Sequence, residues 1–193
     1  MYYVLWVNTG NEEKALQAIH TLVPKNLYKE CFYPMRRLRK KIRGKWTEYN
    51  DRLLPGYLFI TSEDAEGLYL ALHKIPMFVS VLGKTGIEEN IEFIPLPPEE
   101  EEWLRDLMGM KKDPGENTEE RKDHIVGLSQ IGFNEKDEIE ILSGPLKNMS
   151  GRIRRIHLHK RVAEVEVRFM NTKVVLHMGV ELIGKMGHGD GSH

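Results

Sequence analysis

Residues 137–157, DEIEILSGPLKNMSGRIRRIH, decide the fold of the C-terminal part of the chain. Ile139 and Ile141 alternate with Glu138 and Glu140, the period-two pattern of a half-buried strand. That strand runs into Gly144-Pro145, where glycine tolerates positive φ and proline fixes the next φ near about −65°. Gly151 then opens a second apolar-punctuated run through Ile153, Ile156 and Leu158. Strand, Gly-Pro turn, glycine and strand begin a small, tightly curved β-barrel. Residues 162–169 (VAEVEVRF) and 173–176 (KVVL) continue it, with turns expected at His159-Lys160 and Asn171-Thr172.

A second signature lies upstream. LLPGYLFI at 53–60 reads as a Pro-Gly turn that launches a short buried strand, Tyr57-Leu58-Phe59-Ile60. The chain opens with YYVLWVNTGNEEKALQAI, an aromatic, β-branched strand broken at Thr9-Gly10-Asn11. Asn11 is placed to cap a helix whose apolar residues Ala15, Leu16, Ile19, Leu22 and Val23 recur at helical spacing and stop before Pro24. Cys31-Phe32-Tyr33 starts a strand, and RRLRKKIRGKWTEY reads as an exposed hairpin turning at Gly44-Lys45 with a sparse apolar face of Leu38, Ile42 and Trp46. A helix over 65–74 carries Leu68, Leu72 and Ile75 on one face and is stopped by Pro76; a strand follows over 78–82. Pro97-Pro98 starts a last helix, with Glu99 to Glu102 on its positive end and Trp103, Leu104, Leu107 and Met108 as its core face.

The 137–157 segment resembles the KOW motif. A strand-helix start, a PGY strand and a C-terminal KOW motif, in that order, resemble the NusG/Spt5 family of transcription elongation factors. The implied class is α+β: an N-terminal NGN domain over 1–108, an antiparallel sheet flanked by helices, and a small all-β KOW barrel over 136–185. A charge-rich linker is expected over 109–135, with Ile125, Val126, Leu128 and Ile131 able to pack a short segment against the barrel, and a disordered tail over 186–193, where His188 and His193 are better read as tail than as metal ligands.

Size and charge fit this class. The 193 residues suffice for two small domains, and 40% hydrophobic and 30% charged residues give packed cores with polar surfaces. Cys31 is the single cysteine, which excludes an internal disulfide, suits a reducing cytoplasm and reads as a small buried hydrophobe. The opening residues and the absence of a long apolar run predict neither a secretory signal nor a membrane span. No Walker loop, HExxH, CxxC or GxSxG occurs, and no carboxylate pair isolates a general acid and base; no enzymatic activity, cofactor or metal is expected.

The formal net charge of −1 conceals two basic segments. Residues 30–52 hold eight Lys/Arg against three acids, and 145–178 hold eight Lys/Arg and three His against Glu164 and Glu166. Phosphate neutralisation needs local charge, so both segments are nucleic-acid candidates. In the hairpin Arg36, Arg37, Arg39, Lys40, Lys41, Arg43 and Lys45 follow one another with no acid between, which disfavours a merely solvated face; with Lys74 they are the candidates for a nucleic-acid backbone, including upstream non-template DNA. In the barrel the RNA candidates are Lys147, Asn148, Arg152, Arg154, Arg155, His157, His159, Lys160, Arg161 and Lys173.

The resemblance also implies docking on the clamp helices of the largest RNA polymerase subunit. Carried over by motif, that site is Trp6, Asn8, Thr9, Gly10, Leu54, Pro55 and Tyr57. Core packing is an equal account of Trp6 and Tyr57, whereas Leu54-Pro55 sits in a turn, a poor place to bury apolar side chains. A barrel this basic points to a specialised, operon-targeted paralogue of the LoaP antiterminator type that reads an RNA hairpin in the nascent leader. The alternatives are a general NusG whose barrel binds a ribosomal protein or termination factor, and a KOW-bearing ribosome or RNA-processing protein. Val162, Val165, Val167, Val174 and Val175 favour strand and disfavour a barrel that refolds into helix. No membrane partner is expected, and the chain is expected to be a monomer.

Overall fold

The computed structural model describes residues 1–75, 80–81, 83–85, 91–93, 95–108 and 124–183. Pro76, most of the 78–82 strand, the 109–123 part of the expected linker and the tail lie outside the described residues. The chain forms two compact units, residues 1–34 with 54–102 and residues 35–53 with 103–193.

The first unit is built on strands β1 (Tyr2–Trp6), β2 (Glu30–Phe32), β5 (Tyr57–Thr61) and β6 (Ser80–Val81), in the sheet order β2-β5-β1-β6. All of these neighbours run antiparallel. Helices α1 (Glu12–Leu22) and α2 (Ala65–His73) pack Ala15, Ile19, Leu68 and Leu72 against Tyr3, Leu5, Leu58 and Ile60 of the sheet. The other sheet face is buried too, through Tyr2, Val4, Phe32 and Phe59, which is why β1 and β5 read as continuous apolar runs. Asp64 caps α2 by accepting from Gly67 N at 2.8 Å. Asn11, expected to cap α1, makes no such bond there; the first turn of α1 carries Glu12 and Glu13. A two-stranded pair, β7 (Gly83–Thr85) with β8 (Ile91–Phe93), and the start of α3 (Pro98–Met108) follow; the rest of α3 is counted with the second unit, and its Trp103, Leu104, Leu107 and Met108 are buried as expected.

The second unit contains the hairpin. Strands β3 (Met35–Ile42) and β4 (Lys45–Arg52) pair antiparallel along their length, and β3 pairs parallel with β9 (Ile125–Val126). The turn is Arg43-Gly44, one residue earlier than expected: both have positive φ, 48° and 82°, as the tight two-residue hairpin turn requires. The barrel sheet runs β11-β10-β14-β13-β12, from β10 (Ser129–Phe133), β11 (Ile139–Ser143), β12 (Ile153–His157), β13 (Val162–Phe169) and β14 (Thr172–Leu182). β10, inside the segment expected as linker, is an interior strand that pairs antiparallel with β11 and parallel with β14. Between β11 and β12 the chain makes a 3-10 helix, Pro145–Arg152, that buries Leu146 and Met149. Gly144 enters it at φ 91°, where a Cβ would sit 2.7 Å from the Leu128 carbonyl oxygen.

The hairpin is fixed to the barrel. Arg36 Nη1 donates to the His177 carbonyl oxygen at 2.8 Å, and Arg39 Nη1 meets Glu181 Oε1 at 2.6 Å. β3 approaches β14 so closely that a Cβ on Gly179 would overlap the Arg37 carbonyl oxygen. Within the same unit Trp103 Nε1 donates to the Arg168 carbonyl oxygen at 3.0 Å, with its ring edge-on to Phe169. Among the described residues no helix is long and apolar enough to cross a membrane.

Candidate functional site

At one end of the first unit's sheet, Trp6 of β1 lies opposite Tyr57 of β5, and Val7 N donates to the Gly56 carbonyl oxygen at 2.8 Å. This register sets the 8–10 loop beside the Pro55-Gly56 turn. Gly56 has φ 86°, and a Cβ there would stand 2.9 Å from the Val7 carbonyl oxygen and 3.3 Å from Thr9 Oγ1. Glu12, a residue the sequence did not single out, ties the two loops together. Its fully buried carboxylate accepts from Gly10 N at 2.9 Å and from Gly56 N at 2.8 Å. An acid in a first helical turn is ordinarily read as a dipole partner, and nothing in the local spacing reveals the second loop.

Six of the seven expected polymerase-docking residues are therefore displayed together. Trp6 is 44% exposed, Asn8, Thr9, Gly10 and Pro55 are exposed, and Tyr57 is half-buried. Leu54 departs from its expected exposure: at 4% it is buried in spite of its turn position.

The basic hairpin is less free than its sequence suggests. Acids absent from β3 lie across the ladder on β4, where Asp51 opposes Arg36 and Glu48 opposes Arg39. Arg36 bonds Asp51 at 3.0 Å, and Glu48 lies 3.4 Å from Arg39 and 3.9 Å from Arg37. Burial raises the Asp51 carboxyl, but the Arg36 hydrogen bond, the Arg52 backbone bond and the charges of both arginines outweigh it and hold it below its ordinary range. Lys40 Nζ lies 4.9 Å from the centroid of the Tyr49 ring. Lys41, Arg43 and Lys45 remain exposed at the tip. Lys74 belongs to the first unit, where it lines an apolar groove with Leu22, Pro24, Leu27 and Leu70.

The barrel candidates share one region. Lys147, Asn148 and Arg152 are exposed on the 3-10 helix, and Lys173 is exposed on β14. On β12 the register shifts between Ile153 and Arg155, so Arg154 is an extra residue in the strand. That bulge turns Arg154 and Arg155, which regular pleating would send to opposite faces, both towards solvent. His157, His159, Lys160 and Arg161 complete the strand end and the turn. Only two acids stand among them, and both are engaged. Glu164 Oε1 lies 2.8 Å from His157 Nε2 and 4.0 Å from His177 Nε2; Glu166 lies 2.9 Å from Lys173 and 3.5 Å from Arg154. The His157 hydrogen bond holds the Glu164 carboxyl below its usual range, and the Lys173 hydrogen bond does the same for Glu166. Lys147, Arg152 and Lys160 project with no acid beside them among the described residues, whereas Arg155 lies across the ladder from Glu164.

Among the described residues no three His, Cys, Asp or Glu are grouped to hold a metal ion. Burial pushes the Cys31 thiol up, so the chain's one sulfur nucleophile is a core side chain.

A family model described as "Transcription termination factor nusG" matches residues 1–105. The transcription termination/antitermination protein NusG of Halalkalibacterium halodurans is 24% identical over 143 residues, which cover 74% of this chain and 72% of that protein. The solved structure titled "Domain interaction in Thermotoga maritima NusG" is similar with a TM-score of 0.52 at 20% identity over 92% of each chain, a likeness of fold. The chain belongs to the NusG family. Its class is that of transcription termination and antitermination factors, not of enzymes.

Proposed function

We propose that this NusG-family factor binds RNA polymerase through the Trp6, Asn8–Gly10, Pro55 and Tyr57 face of its NGN domain, residues 1–108, and RNA through its KOW domain, residues 136–185, suppressing pausing or termination in particular operons. The observation that carries the RNA half is the outer face of β12 and its neighbours. Both local acids are already paired while Lys147, Arg152 and Lys160 stay exposed with no acid beside them among the described residues. Unneutralised cations on a rigid β surface fit a phosphate backbone better than they fit each other. Leu54, being buried, supports the polymerase face from beneath instead of touching the partner.

Two titrations of the full chain test this. Against a fragment carrying the clamp helices of the polymerase's largest subunit, binding is expected to weaken in Trp6→Ala; no binding by the unaltered chain at micromolar concentration removes the polymerase half. Against RNA stem-loops from the leader of its own operon and scrambled controls, the authentic sequences are expected to bind more tightly. Equal affinity for both supports a general NusG whose barrel serves a ribosomal protein or termination factor.

A further inference from the structure

Two basic segments more than a hundred residues apart in the sequence meet in the second unit. Arg161, in the turn between β12 and β13, holds its guanidinium carbon 5.3 Å from the centroid of the Trp46 ring on β4. Trp46 is the residue after Lys45, so this stack sets the tip of the β3–β4 hairpin beside that turn. Both sides of the seam are fixed. The Arg161 carbonyl oxygen accepts from Val180 N at 3.0 Å with Arg161 at φ 55°, and β3 is held on β14 by Arg36 and Arg39. We propose that the hairpin tip and the β12–β13 turn form one RNA-binding surface, with the Arg161–Trp46 stack at its seam, so that a single folded RNA spans both. This rests on the reading that the chain binds RNA and goes beyond it, since the two basic segments no longer need separate nucleic acids.

Three observations support it. Lys41, Arg43 and Lys45 at the tip and Lys160 in the turn are exposed and have no acid beside them among the described residues, whereas Arg36, Arg37 and Arg39 further down the hairpin are matched by Glu48, Asp51 and Glu181. The chain thus neutralises the hairpin where it packs on the barrel and leaves it charged where it ends. Arg161 Nη1 makes no hydrogen bond among the described residues, so that donor is not committed to holding the fold. Trp46, half-buried under Arg161, also offers a ring at the seam. Aromatic and guanidinium planes beside phosphate-binding cations suit RNA, whose loops present unstacked bases next to a duplex backbone; duplex DNA would use the cations alone.

The test uses the full chain and a fluorescently labelled RNA stem-loop, with a DNA duplex of the same stem sequence as the second probe, titrated over a range of salt. The tip variant Lys41→Ala/Arg43→Ala/Lys45→Ala is expected to lose about tenfold or more in affinity and to flatten the log-affinity against log-salt slope by about 2, at roughly 0.7 per lost contact. Lys160→Ala should flatten it by about 0.7. Trp46→Leu should weaken RNA binding without changing the slope. Unchanged melting temperatures show that each variant is folded. If the tip variant binds the stem-loop as the unaltered chain does while Lys160→Ala is weaker, the shared surface is wrong and RNA binding by the barrel stands. If the unaltered chain binds no RNA, both fall. Equal affinity for the DNA duplex, lost equally in the tip variant, overturns RNA as the occupant.

Discussion

The Gly56 N–H donates to the Glu12 carboxylate over 2.8 Å, joining the start of α1 to a turn 44 residues further along the chain. The other carboxylate oxygen takes the Gly10 N–H, so one buried side chain satisfies a donor in each loop of the proposed polymerase face. Hydrogen bonds to a charged acceptor contribute roughly 1.5–3 kcal/mol each, and a buried donor left without one costs about as much. Glu12→Ala is therefore expected to lower stability by about 3 kcal/mol in urea unfolding and to speed amide exchange at Gly10 and Gly56 more than elsewhere in β1 and β5. Glu12→Gln keeps one acceptor and turns an NH2 group on the other donor, so it should recover little. A loss below about 0.5 kcal/mol for the alanine variant would show that the bridge holds nothing.

Gly179 of β14 is where the hairpin comes closest to the barrel, with the Arg37 carbonyl oxygen in the place a Cβ would take. Backbone does not move aside as a side chain does. Gly179→Ala should lower stability by about 2–3 kcal/mol through forced separation of β3 and β14. Gly151→Ala is the control, because nothing lies within 4 Å of its Cβ position; it should be neutral or gain a few tenths of a kcal/mol through the less flexible unfolded chain. Equal effects from both would mean that the close approach is not energetically real.

Local signals in the sequence were strong enough to place most elements. Alternation in 162–169 and helical spacing in α1 and α3 act within a few residues, and each element appears in the structure with most of the expected side chains buried; Leu22, at the end of α1, is the exception at 57% exposed. Long-range placement was not legible. The acids that neutralise Arg36 and Arg39 lie across a hairpin ladder and on β14, and a run of seven bases gives no sign of them. Ile131 marks β10 only as part of a short segment able to pack on the barrel; Ser129, Gln130 and Gly132 interrupt its apolar residues and hide that it is an interior strand. The Arg161–Trp46 stack joins two segments whose association depends on tertiary packing alone.

Glu164 and Glu166 set an expected pH dependence. Both carboxyls are held below their ordinary range, so the folded chain keeps them ionised at pH values where the unfolded chain has begun to take up protons. Their contribution is complete above about pH 4.3, the unperturbed value for glutamate, and is lost as pH falls through the lower folded values. Urea midpoints measured from about pH 6 down to pH 3 should therefore fall less steeply in Glu164→Gln/Glu166→Gln than in the unaltered chain. Because both groups are solvent-exposed ion pairs, raising the salt should bring the two curves together. Parallel curves at low salt would assign the acid loss to other carboxylates.

The last prediction separates structural from recognition charges in the hairpin. Arg39 sits between Glu48 at 3.4 Å and Glu181 at 2.6 Å, with most of its side chain buried. Removing it leaves Glu48 and Glu181 without their shared cation and takes away one of the hairpin's ties to β14. Arg39→Ala is expected to cost about 1–2 kcal/mol, at the upper end for an ion pair because solvent screening is partial. In the double variant Arg39→Ala/Glu181→Ala the loss should be smaller than the sum of the two single losses, since each single change already breaks the shared bond. Lys41→Ala and Lys45→Ala, which touch no acid among the described residues, should leave the melting temperature unchanged. Additive losses at Arg39 and Glu181 would show that the pair is a surface coincidence, and that the hairpin is held by the Gly179 approach and the Arg36 bond alone.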